Sequence, residues 1–171
     1  MADEVLFRGP RWSLVSRSEP SRAGRSRRRA VIVHPGSVVV LPWLDDGRVV
    51  LIRNERVSVG RALLELPAGT RELHEDPSGC AARELREETG YEATELASLT
   101  EFFLAPGSSD ERMEAFVARG LREAGQRLED DERITVVPTP WDECLAMARD
   151  GRIADAKTLA VLLYWAAFRR S

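Results

Sequence analysis

From residue 30 the chain turns into short β-branched runs: AVIVH at 30–34, SVVVLPW at 37–43 and RVVLIR at 48–53, separated by Pro35-Gly36 and by the turn signal Asp45-Asp46-Gly47. This alternation of apolar runs and breakers predicts two or three sheet strands. Residues 62–66 predict another, closed by Pro67-Ala68-Gly69, a break that leaves backbone carbonyls open. A helix follows, because Asp76-Pro77 is an N-cap with a first-turn proline and Gly90 stands where a left-handed stop belongs. Strands are predicted at 96–104 and 113–119, around the loop APGSSDER, and again at 134–137, with a polar, acidic and mobile loop at 122–132 before the last. Thr139-Pro140 opens a helix that Gly151 stops, and Asp155 caps another whose Leu159, Leu162, Leu163 and Ala166 trace an apolar core face. The first fifteen residues read as two short strands around Gly9-Pro10, and residues 16–29 as a loop or hairpin. Strands, a central helix, more strands and two closing helices imply a mixed sheet covered on both sides.

Composition narrows this picture without redirecting it. A chain of 171 residues fits one domain with a real core and room for a small appended element. The apolar fraction is 43%, the charged fraction 31% and the net charge -3, so no general attraction to nucleic acid or membrane is expected. Cys80 and Cys144 have no paired spacing and read as two reduced thiols of a cytoplasmic protein. The N-terminus carries acids where a signal peptide needs positive charge, and the longest apolar run, residues 159–168, is too short to span a bilayer. Arg22, Arg25, Arg27, Arg28 and Arg29 make a basic turn, read as solvent-exposed, with phosphate or nucleic-acid contact as the alternative. Trp12 is read either as core or dimer packing or as a platform for a base.

The candidate chemistry lies at residues 69–91, GTRELHEDPSGCAARELREETGY. Within the predicted helix Glu84, Glu87 and Glu88 stand at i, i+3 and i+4 and share a face. Like charges so close repel, and glutamates in the last turn oppose the helix dipole, so the arrangement costs stability unless a cation neutralises it. Hard oxygen donors point to Mg²⁺ or Mn²⁺.

Gly69, Glu75 and the run Arg83-Glu84-Leu85-Arg86-Glu87-Glu88-Thr89-Gly90-Tyr91 together resemble the complete signature of the Nudix hydrolases. ELPAG at 65–69, LAPGSSDE at 104–111 with its Pro106, HPGSV at 34–38 and DAKT at 155–158 resemble the ADP-ribose pyrophosphatase branch of that family. The resemblance implies an α/β/α sandwich with a mixed sheet plus a small N-terminal antiparallel sheet. Residues 1–36 would then serve dimerisation and substrate contact, and residues 37–171 would form the hydrolase domain. It implies metal ligation by Glu84, Glu87, Glu88 and the Ala68 carbonyl, with Glu132 as general base and Glu87 and Arg83 also in the catalytic set. Glu129, Asp130 and Asp131 stand close enough to be confused with that base. Substrate contacts would fall to Arg53, Arg56, Pro106, Glu111 and Trp12. Here a phrase that is RQYR-like in relatives reads RNER, with Asn54 and Glu55 replacing glutamine and tyrosine. The implied activity is Mg²⁺-dependent hydrolysis of ADP-ribose to AMP and ribose 5-phosphate by a cytoplasmic homodimer. The rivals are other nucleoside diphosphate sugars such as GDP-mannose, a non-catalytic nucleotide-sensing module, and hydrolysis of RNA caps or damaged nucleotides.

Overall fold

The computed structural model describes residues 3–20, 26–130 and 132–168. Its central sheet has the order β7-β4-β9-β8, built from Ala68–Thr70, Ser37–Pro42, Arg112–Glu123 and Tyr91–Phe103. β4 runs parallel to β9 and antiparallel to β7, while β8 and β9 form a long antiparallel hairpin, so the sheet is mixed. All six residues of β4 are buried, which explains its uninterrupted apolar run. Val38 and Val40 pack on one side against Cys80, Ala81 and Leu85 of helix α1 (Pro77–Thr89). Val39 and Leu41 face the other way, into the larger core with Trp141, Cys144 and Met147 of α2 (Trp141–Asp150) and Val161, Leu162 and Trp165 of α3 (Ala156–Phe168). The period-2 alternation of one strand thus separates the two helical layers, and the sandwich anticipated from the sequence is the one observed.

A second sheet, β10-β5-β6, joins Ile134–Pro140, Arg48–Arg56 and Arg61–Glu65, all antiparallel. The third sheet, β1-β2-β3, comprises Glu4–Arg8, Ser13–Pro20 and Ser26–Val33. Residues 16–20 and 26–29 therefore lie in paired antiparallel strands, and of the two readings offered by the composition the hairpin is correct. Arg28 pairs with Glu4 at 2.8 Å and donates to Ser16, and Arg29 pairs with Glu19, so these two arginines are neutralised within their own sheet. Arg22 and Arg25 lie outside the described residues, as does Asp131. The third sheet is tied to the β8–β9 loop, where Ile32 N–H donates to the Ser108 carbonyl at 2.8 Å and Asp110 N–H to the Ile32 carbonyl at 3.1 Å.

Two expectations are corrected. The buried face of α3 is Lys157, Thr158, Val161, Leu162 and Trp165, whereas Leu163 is 54% exposed. Leu162 is buried and Leu159 and Ala166 pack partly buried against the core as expected, and hydropathy alone missed the paired lysine that shares the buried side. The segment read as a mobile loop is docked on α1: Gln126 Nε2 donates to the Glu88 carbonyl at 2.7 Å and Arg127 N–H to the Glu87 carbonyl at 3.0 Å. Its residues satisfy carbonyls that every helix leaves open at its C-terminus. Both cysteines are buried and free, and among the described residues no helix is long and apolar enough to cross a membrane.

Candidate active site and metal centre

Helix α1 begins as its sequence demands. Asp76 Oδ1 accepts from Ser78 N–H at 3.1 Å and Gly79 N–H at 3.0 Å, Pro77 occupies the first turn, and Gly90 closes the helix at φ 74. The helix thereby carries Glu84 and Glu88, both buried, toward β7. Gly69 of β7 lies so close that a Cβ there would fall 1.9 Å from Glu84 Oε1. A side chain at 69 would displace the carboxylate, which explains why the motif places glycine there. The next residue back, Ala68, donates its N–H to Glu88 Oε2 at 2.8 Å.

Arg83 organises the acids around it. Its Nε and Nη2 grip Glu75 at 2.8 and 3.0 Å, and its Nη1 donates to Glu84 Oε1 at 2.7 Å and Glu87 Oε2 at 2.9 Å. Glu75 is held down to about 2, chiefly by that guanidinium. Among the described residues no three acidic, histidine or cysteine side chains close into a ready ion cage. Arg83 instead spans the acids, using one oxygen each of Glu84 and Glu87.

One guanidinium does not balance this many carboxylates. Burial, reinforced by repulsion from Glu87 and Glu132, raises Glu84 above the usual carboxylate range. Burial pushes Glu88 up to about 8, with Glu84 and Glu132 adding to the effect and the Ala68 amide opposing it. Buried carboxylates that resist ionisation beside a backbone carbonyl form a hard-oxygen set short of positive charge. These residues fit a divalent cation.

The glutamate face forms one wall of a cleft of about 910 Å³, whose lining includes Trp12, His34, Arg56, Ala68, Glu84, Glu88, Glu111, Glu132 and Lys157. Glu132 is half-buried and near enough to repel Glu84 and Glu88. Glu129 also lines the cleft but is exposed and paired with Arg11 at 2.6 Å, a contact at a solvated surface worth about 0–1 kcal/mol. Glu111 accepts from Ser37 Oγ at 2.8 Å and stands 4.0 Å from His34 Nε2. Trp12 packs on Phe7 with ring centroids 5.6 Å apart and remains 41% exposed.

Arg53 and Pro106 are not brought to this cleft. Arg53 and Arg56 are three apart on one strand, so their side chains leave opposite faces; Arg53 is exposed while Asn54 is buried. Pro106 lies on the exposed tip of the β8–β9 loop. Sequence reasoning assigned no role to His34, Glu65 or Lys157, although all three fall in phrases it singled out. The available signal was the presence of charged residues, Glu65 and Lys157, inside otherwise apolar surroundings.

A short helix bearing buried glutamates, a glycine-lined loop and an acid-rich cleft between sheet and helix define a hydrolase of the cation-dependent type. The chain belongs to the NUDIX domain family, whose model matches residues 33–162. It is 33% identical over 166 residues to an ADP-ribose pyrophosphatase of Bacillus subtilis, covering 96% of this chain and 90% of that protein. It is also 35% identical over 143 residues to a methanol dehydrogenase activator of Bacillus methanolicus, covering 82% of this chain and 77% of the relative. The fold matches a solved structure described as an ADP compounds hydrolase with a TM-score of 0.83 at 23% identity, over 96% of this chain and 89% of that one.

Proposed function

We propose that this protein is a divalent-cation-dependent pyrophosphohydrolase that cuts ADP-ribose into AMP and ribose 5-phosphate, with Mg²⁺ or Mn²⁺ as its cation. The observation that carries the reading is the single cleft in which the buried Glu84 and Glu88, the Ala68 residue and the half-buried Glu132 face Arg56, Glu111 and Trp12. Relatives named for ADP-ribose hydrolysis support the same substrate.

Glu84, Glu87, Glu88 and the Ala68 carbonyl would hold the cation, which when bound neutralises charge on the diphosphate and lowers the pKa of water. The chain's residues do the rest. Glu132 accepts the proton of the water whose oxygen attacks a phosphorus, as the bridging P–O bond breaks and its electrons leave with the departing phosphate. Arg56 offers its guanidinium to the non-bridging oxygens. Trp12 provides a flat apolar face for the adenine, and Glu111 an acceptor for sugar hydroxyls. Arg83 keeps Glu84 and Glu87 aligned without contacting substrate.

Incubation with ADP-ribose and with GDP-mannose, each with and without Mg²⁺, tests this directly when products are identified by mass. The expected result is Mg²⁺-dependent release of AMP and ribose 5-phosphate, with kcat/KM for ADP-ribose the larger of the two. A preference for GDP-mannose, or binding without turnover, would replace the substrate assignment or the catalytic one.

The reading includes a cytoplasmic homodimer formed through residues 1–36, with 37–171 as the hydrolase domain. Its support is the edge strand β1, where Val5, Leu6 and Phe7 are 47%, 53% and 54% exposed, an apolar edge that a monomer would leave open to water. Sedimentation equilibrium should give twice the chain mass of 19.1 kDa; a monomer across the micromolar range would remove this part of the proposal.

A further inference from the structure

Glu65 ends strand β6 with no exposure to solvent, and it is the most deeply buried acid in the described chain. Arg56, at the end of the neighbouring strand β5, grips it as a fork: Nε to Oε1 at 2.8 Å and Nη2 to Oε2 at 2.7 Å. Lys157 Nζ reaches the same carboxylate at 2.5 Å and also Asp155 Oδ1 at 2.9 Å. Asp155 is fixed in turn, since its Oδ2 accepts from Thr158 N–H at 3.0 Å and Thr158 Oγ–H at 2.6 Å. Thr158 Oγ1 then accepts the Leu66 N–H at 2.8 Å, locking the base of α3 to the strand that precedes Ala68. Two acids and two cations close a balanced network, and both cations line the cleft.

We propose that Glu65 is the positioning residue of a diphosphate clamp: it spends one edge of the Arg56 guanidinium, so that Nη1 is held toward the cleft and away from the glutamates of α1. The clamp deepens the functional reading above and rests on it for the identity of the diphosphate. The second half of the proposal follows from charge. Arg56 lies close enough to Glu88 for the two to attract, and an arginine released from Glu65 would swing to that carboxylate and compete with the cation. Glu65 therefore serves two ends, presenting Arg56 to phosphate oxygens and keeping it from neutralising the site meant for a metal. Lys157 is the second cation on the same anchor, and its bond to Asp155 holds it in place.

Calorimetric titration with ADP at saturating Mg²⁺, on wild type, Glu65→Gln, Arg56→Ala and the double variant, tests the clamp. Each single change should weaken ADP about tenfold, the loss of one charge-assisted contact. The double variant should be no weaker than the poorer single one, because Glu65 acts through Arg56. Glu65→Gln should also raise the Mg²⁺ concentration needed for half-maximal turnover, and Arg56→Ala in that background should reverse the rise; a merely structural Glu65 would move neither. Losses that multiply in the double variant, or wild-type affinity in Glu65→Gln, would overturn the proposal. Should Glu65→Gln fail to fold, Arg56→Lys decides, since it keeps the charge and loses the fork: about tenfold weaker ADP supports the clamp, and unchanged affinity refutes it. A wild type that binds no ADP also refutes it. A wild type that binds ADP with these variant effects yet leaves ADP-ribose uncut would sink the substrate reading alone.

Discussion

Glu84→Gln and Glu88→Gln should each lower turnover at saturating Mg²⁺ by on the order of 10³, the scale at which removal of one preorganised electrostatic group acts on a reaction of this kind. The two variants should differ in stability, which separates a ligand role from a structural one. Glu88 is almost fully buried and raised to about 8, so the folded protein holds that proton more tightly than the unfolded chain does. Its contribution to metal-free stability is therefore fullest below the ordinary value of 4.5 and disappears as the pH rises through about 8. Glutamine at 88 keeps the shape and can still accept the Ala68 N–H through its amide oxygen, so it removes the buried charge without orphaning the donor. In EDTA at pH 9 Glu88→Gln should melt at a higher temperature than wild type, and at pH 5 the two should coincide. Mg²⁺ should stabilise wild type more at pH 9 than at pH 5 and should stabilise the variant little at either. Melting curves by calorimetry at the two pH values, beside initial rates, give both readouts. Turnover near wild type, or a variant less stable than wild type at pH 9, would mean that Glu88 is a structural acid and that the cation lies elsewhere. Glu84 offers the sharper activity test and the weaker stability one, because Arg83 already neutralises part of its charge at 2.7 Å.

How much of this site could be read in advance follows the distance over which each part is specified. Helix α1 was legible because its signals are local: Asp76 and Pro77 start it, Gly90 stops it, and a period of 3.6 collects the glutamates. Strand β4 was equally plain from an unbroken apolar run, which its burial on both faces explains. What stayed hidden was pairing between distant segments. Glu65 and Lys157 are separated by 92 positions, so the apolar surroundings of each hint at a buried charge but do not name the partner that neutralises it. The same blindness left Lys157 off the buried face of α3, since a lysine neutralised from across the fold counts as polar when read alone. The loop after β9 looked mobile because its residues are charged, yet its order comes from the carbonyls of Glu87 and Glu88, which no local pattern reveals. Arg53 is a different case. The predicted strand stopped at residue 53, and only the observed extension of β5 to Arg56 sets the two arginines on opposite faces.

In the proposed mechanism, that docked loop favours one acid as the group that takes a proton from the attacking water. Gln126 and Arg127 anchor its first half to the end of α1, and the turn that follows closes on itself, with Glu129 N–H donating to Glu132 Oε2 at 2.9 Å and Glu132 N–H to the Glu129 carbonyl at 3.1 Å. Glu132 is left half-buried beside Glu84 and Glu88, whereas Glu129 and Asp130 are exposed and Glu129 is engaged by Arg11. A base must stand within reach of a water next to the cation, so proximity to Glu84 and Glu88 favours Glu132 over its neighbours. Glu132→Gln should then lower kcat by on the order of 10² with little change in KM, because the group acts on the reacting water and holds no part of the substrate. Glu129→Gln should retain most of its kcat. The melting temperature of Glu132→Gln should stay within a few degrees of wild type, since the carboxylate is partly solvated and glutamine can still accept the Glu129 N–H. An unchanged kcat in Glu132→Gln beside a collapse in Glu129→Gln would transfer the role along the loop. A rise in KM with kcat intact would make Glu132 a binding residue and leave the proton to be taken by another group.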